Sequence, residues 1–191
     1  MITRHLPRIL IPLALLLAPT LAHAAVTTAV DFDLGAPTLS TRKLPGYAAA
    51  LGARVGYRFD LGPVWIQPEG GASYTSFKDL PMTAGLDVPR FIAGARLGLA
   101  LSPLVQPSLY GHGGVGWFGH AAPGGTGTVG LAIDVMPARH FSFGAQVGYS
   151  GLATGPIAPG PCTPEPHLPC PAPMSSSIQW IAAGVHGGFA F

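Results

Sequence analysis

Ionisable side chains are scarce in this 191-residue chain, and most of those beyond the N-terminus stand singly inside apolar, glycine-rich stretches. The candidates for chemistry are Asp31, Asp33, Arg54, Arg58, Glu69, Arg96, His112, Asp134 and His186. Arginines and carboxylates shut away from water must pair, because an unpaired buried ion keeps its full desolvation cost. Arg54 and Arg96 with Glu69 or Asp134 are the natural partners, and Arg58 belongs to the same set. An ion path is the alternative use, and it requires those pairs to exchange partners. His112 and His186 have the chemistry of a general base or a metal ligand. Neither stands in a ligand-spaced cluster, and no local signature joins either to a serine. The sequence therefore points to no catalytic, cofactor-binding or metal site.

The elements that position these residues follow from composition. Apolar residues make up 48% of the chain and charged residues only 9%, against about a quarter in a typical soluble domain. So few charges make a poor water-facing surface. The 27 Gly and 21 Pro would read as disorder in polar tracts, but most of the glycine lies inside alternating apolar segments, which favours strands. The formal net charge of +2, with no basic run beyond the N-terminus, excludes a nucleic-acid partner.

The N-terminus reads as an address. Arg4 and Arg8 precede an apolar stretch from Ile9 to Ala18, and Ala22-His23-Ala24 has the small residues a signal peptidase reads. Residues 1–24 are expected to be a signal peptide cleaved after Ala24, with 25–191 as a single domain. The apolar stretch, interrupted by Pro12, is too short for a membrane-spanning helix of about 20 residues. Export implies an oxidising compartment, so Cys162 and Cys170, the only cysteines, are expected to form a disulfide that stiffens a Pro-rich loop. His167 between them does not complete a zinc site.

Downstream of residue 24 the dominant signal is alternation with period two. In 51–60, Leu51, Ala53, Val55, Tyr57 and Phe59 fall on one face and Gly52, Arg54, Gly56, Arg58 and Asp60 on the other. The same test predicts strands over 26–35, 47–60, 64–75, 91–101, 105–118, 127–136, 140–150 and 178–191. Short links at Leu61-Gly62-Pro63, Ser102-Pro103-Leu104 and Pro137-Ala138-Arg139 alternate with longer ones near 36–46, 76–90, 119–126 and 151–177. Gly52-Ala53-Arg54-Val55-Gly56 is echoed by Gly94-Ala95-Arg96-Leu97-Gly98, so a hairpin is the repeated unit. Tyr57, Phe59, Tyr74, Phe91, Trp117, Phe141 and Tyr149 fall on the apolar face near strand ends, as membrane-boundary aromatics do. Trp65 and Trp180 have the opposite parity and are expected to fill the interior.

This combination resembles the small outer-membrane β-barrel family that includes the barrel of outer membrane protein A. The resemblance rests on the signal peptide, the eight alternating strands and the ending Gly187-Gly188-Phe189-Ala190-Phe191. It implies an all-β fold, an eight-stranded antiparallel up-and-down transmembrane barrel with short periplasmic turns and longer extracellular loops. It also implies that Phe191, with Phe189 on the same face, is read by the barrel-assembly machinery. The implied location is the bacterial outer membrane, the implied partners its lipids and that machinery, and the implied state a monomer. The expected role is non-enzymatic, structural or surface-interacting through the loops, with no cofactor. Two alternatives stay open: a narrow channel for ions or small molecules, and a lipid acyl hydrolase or transferase using a histidine base.

Overall fold

A computed structural model describes residues 24–38, 46–78, 86–117, 123–157 and 174–191. The strands are β1 (Ala25–Thr38), β2 (Tyr47–Leu61), β3 (Val64–Lys78), β4 (Leu86–Leu99), β5 (Val105–Gly116), β6 (Gly124–Ala138), β7 (Phe141–Ile157) and β8 (Met174–Ala190). Each pairs antiparallel with its neighbours in sequence order, and β1 closes on β8 from Thr27↔Ala190 to Thr38↔Gln179. The result is a closed eight-stranded barrel with no free sheet edge.

Three short connections and both described chain ends lie at one end of the barrel; the strand ends Thr38, Tyr47, Lys78, Leu86, Gly116, Gly124, Ile157 and Met174 lie at the other. At the first hairpin Gly62 takes φ +80°, a left-handed conformation that lets a two-residue loop follow the strand twist. The third hairpin differs from expectation. Pro137 and Ala138 belong to β6, and the chain turns at Arg139-His140. The register shifts between Val135 and Ala138, so the proline, which has no N–H for the ladder, falls in a bulge.

Six of the eight strands also run further toward the long-link end than alternation predicts, while β2 begins at Tyr47 as expected and β5 ends at Gly116 rather than 118. β4 begins at Leu86 rather than residue 91, β7 continues to Ile157 and β8 starts at Met174. Pro89, which reads as a strand breaker, lies inside β4 opposite Tyr74, with its side chain on the outer surface. Beyond an apolar belt there is no requirement for alternating hydrophobicity, so these extensions carry no period-two signal.

The two faces of the wall are sharply sorted. Val30, Leu51, Val55, Phe91, Leu109, Val129, Leu131, Ile133 and Val185 point outward and are each more than half exposed. Among the described residues, the charged side chains on the outside are Lys78 and Asp87 at the long-link end and Arg139 at the short-turn end. Tyr47 and Phe59 lie at opposite ends of β2. The twelve residue steps between them (59 − 47), at about 3.3 Å each and a tilt of about 40°, span roughly 30 Å, the thickness of a bilayer hydrocarbon core. Tyr57, Tyr74, Phe91, Phe141 and Tyr149 are exposed on this face; Phe59 and Trp117 are half-buried, beside Tyr57 and Phe91 respectively.

Candidate functional site: the barrel interior

The hairpin repeat explains the centre of the lumen. It places Arg54 on β2 and Arg96 on β4, and β3 between them carries Glu69. Glu69 faces glycine on both neighbours, Gly56 and Gly94, so the arginines reach it from diagonal positions on either side. Arg54 Nη1 donates to Glu69 Oε1 at 2.5 Å, and Arg96 Nε stands 3.7 Å from the same oxygen. His112 Nε2 is 2.7 Å from Oε1, and Gln67 Nε2 donates to Oε2 at 2.7 Å. Glu69 is therefore the hub of the network.

Two further carboxylates complete it. Arg54 holds Asp31 as a fork, with Nε to Oδ2 at 2.7 Å and Nη2 to Oδ1 at 2.5 Å. Asp134 takes His186 Nε2 at 2.6 Å and, more loosely, Arg96 Nη1 and Ser108 Oγ, each at 3.5 Å. Asp33 stands apart and accepts from Gln146 Nε2 at 2.9 Å. Arg58 lies nearer the short-turn end, donating to Asp60 and Gln106 at 2.8 Å and stacking over Trp65 at 4.4 Å. All the ionisable residues singled out by parity thus point inward, and Arg54, Glu69, Arg96 and Asp134 form one connected cluster with both histidines.

Large side chains fill what remains, each beside a glycine that makes room for it. A methyl group at Gly98 would strike the Trp65 indole; one at Gly130 or Gly148 would strike the Tyr110 phenol. At the long-link end Phe77, Val88, Leu152 and Trp180, with Ala48, form an apolar plug, Phe77 meeting Trp180 edge-on at 5.3 Å. Both inward tryptophans are at most 2% exposed.

Among the inward residues that escape the sequence reading are Arg90, Tyr110 and Gln146. Arg90 lies beneath the plug, donating to Thr75 Oγ1 at 3.3 Å and stacking on Trp180 at 5.0 Å. Carrying the parity of Ile92 back two residues, one beyond the predicted strand start at 91, would have found it. Tyr110, under the Arg96 guanidinium, shares its parity with His112, and Gln146 accompanies Asp33. At the chain end, Phe189 and Phe191 lie on the outer surface; Phe189 stacks on Phe141 at 5.3 Å, and Phe191 N–H donates to Val26 O at 2.9 Å. Cys162, Cys170 and residues 1–23 lie outside the described residues. Among those described, no group of three or more His, Cys, Asp or Glu is placed to hold a metal ion.

No protein-family model matches the chain, and no curated protein matches it. Among solved structures it is similar to Neisserial surface protein A, at 10% identity and a TM-score of 0.52, over 88% of this chain and 97% of that one. It is also similar to Ail, the attachment invasion locus protein of Yersinia pestis, at 10% identity and a TM-score of 0.48, over the same shares of the two chains. That Ail structure contains the heparin analogue sucrose octasulfate. At such identity the likeness is one of fold, and the fold is that of the small eight-stranded outer-membrane barrels.

Proposed function

We propose that the chain is an integral bacterial outer-membrane protein without enzymatic activity, whose barrel presents its long links at the cell surface in a structural or surface-interaction role. One observation carries this reading: an uninterrupted apolar outer belt surrounds a lumen that holds a charged side-chain network and whose long-link end is plugged. A soluble barrel has the opposite sorting, while hydrocarbon demands this one. The short turns then face the periplasm. Residues 1–24 serve as the export signal, Phe191 and Phe189 as the mark read by the assembly machinery, and outer-membrane lipids as the standing partners of a monomer. A Cys162–Cys170 disulfide stiffens the longest link.

The rival activities fit the interior less well. A channel needs an open path, whereas Phe77, Val88, Leu152 and Trp180 fill the long-link end of the lumen. A lipid hydrolase needs its base where an acyl ester can reach it, whereas His112 and His186 are turned inward onto Glu69 and Asp134. Membranes from cells expressing the protein provide the test, washed with alkaline carbonate and then run on gels with and without boiling. Retention in the membrane and a mobility shift on heating are expected. Release by carbonate with no shift would overturn the membrane assignment, and altered lipid acylation lost in His186→Ala would overturn the non-enzymatic one.

A further inference from the structure

We propose that the outer wall across β1–β4 holds one zwitterionic phospholipid in a fixed place, with its acyl chain in a groove, its phosphate on Lys78 and its ammonium on Asp87. This inference rests on the membrane reading above and singles out one lipid among the standing partners. The belt is not evenly filled. A groove of about 390 Å³ runs between Val30, Leu51, Tyr74 and Phe91 over a floor of Ala53 and Ala72. A second hollow, of about 410 Å³, shares Val30 and Ala53 with it and continues past Gly70 and Gly187 to Phe189. Packing of the wall does not require this floor to be low. A methyl group at Gly70 would meet nothing nearer than Ile92 O at 3.5 Å, and one at Gly187 nothing nearer than Ser142 O at 4.0 Å.

Polar groups stand where the headgroup of such a lipid lies. Gly70 and Lys78 share the outer face of β3, and the eight residue steps between them (78 − 70), at about 3.3 Å each and a tilt of about 40°, rise roughly 20 Å. An acyl chain lying along the groove therefore ends below Ser76 and Lys78. Asp87 pairs with Ser76 across the β3–β4 ladder, and the hydroxyls of Tyr74 and Ser76 are within hydrogen-bonding reach of its carboxylate. Lys78 is the cation beside it, yet the two are not joined in an ion pair. Among the described residues these are the charged side chains of the long-link rim, one of each sign, and both are exposed. A purely anionic headgroup would satisfy Lys78 and be repelled by Asp87. Phosphoethanolamine carries both counter-charges, and its primary ammonium donates where the carboxylate accepts.

The test is quenching of tryptophan emission by brominated lipids in phosphatidylcholine vesicles that hold the folded barrel. Trp117 is the tryptophan on the outer surface, edge-on to Phe91 of the groove at 5.8 Å, while Trp65 and Trp180 are buried in the lumen. Brominated phosphatidylethanolamine should bind about two- to fivefold better than brominated phosphatidylcholine or phosphatidylglycerol, the range for exposed charge pairs. Lys78→Gln and Asp87→Asn should each remove most of that preference. Gly70→Leu, which fills the groove without touching the charges, should lower it as well, and Arg139→Gln at the short-turn end should leave it unchanged. Equal quenching by the three lipids, or a preference that survives both charge variants, would overturn the inference while leaving the membrane reading intact. Quenching by all three that falls as the protein-to-lipid ratio rises would give the groove to a second copy instead. A chain that does not insert, with no heat-shifted gel mobility, would overturn both.

Discussion

The two ends of the lumen are built on opposite principles. At the long-link end Phe77, Val88, Leu152 and Trp180 interlock as a small apolar core, with Arg90 beneath them stacked on the indole. At the short-turn end arginines surround an open cavity, and Trp65 is the one large apolar side chain buried there. The first arrangement leaves no room for water; the second leaves a cavity beside charge. Between them Glu69 gathers Arg54, Arg96 and His112, so the interior passes from dry to ionic to wet along the barrel axis. A wall with one uniform outer face can therefore enclose an interior graded from end to end.

Substitutions at each level sharpen or break that contrast. The largest effect is expected at the hub: Glu69→Ala leaves Arg54 and Arg96 short of a buried counter-charge and should destabilise the barrel by about 3–5 kcal/mol in urea unfolding. A loss below about 1 kcal/mol there would mean that water, not pairing, carries the interior charge. Phe77→Ala at the dry end should lose about 3–4 kcal/mol through a cavity, and it should raise single-channel conductance from the baseline of a plugged barrel. Gly98→Ala pushes a methyl into the Trp65 ring and should lose about 1–3 kcal/mol, with a shift in tryptophan emission. Asp60→Asn, at the wet rim where the carboxylate is 42% exposed, should change stability by less than about 1 kcal/mol.

Much of this was legible in the residues, for a reason that also sets the limit. Wherever the wall crosses the apolar belt, alternation is enforced on both faces, and the parity of Leu51–Asp60 alone assigns Arg54 and Arg58 to the lumen. Outside the belt the constraint lapses. Arg90 sits next to Pro89, which reads as a break and so ends the predicted strand at 91, although an outward-facing proline near a strand end costs the ladder little. The Pro137 bulge shifted the third turn for a related reason: a missing N–H displaces the register without ending the strand. The hairpin repeat shows two similar arginines, but only the strand order reveals that β3 lies between them and makes Glu69 their common partner. The apolar plug was half legible, since Trp180 declared its parity while Phe77, Val88 and Leu152 lay in segments read as links.

Everything rests on which face of each strand meets lipid, and a nitroxide scan along β6 measures that most directly. Labels would be placed one at a time at residues 126–134 in bilayer vesicles, with Cys162 and Cys170 replaced by Ser. A membrane barrel with this register requires oxygen accessibility to peak at Val129, Leu131 and Ile133 and to fall at Thr128, Gly130, Ala132 and Asp134. Absent or inverted alternation would contradict both the register and the assignment of the charged network to a lumen.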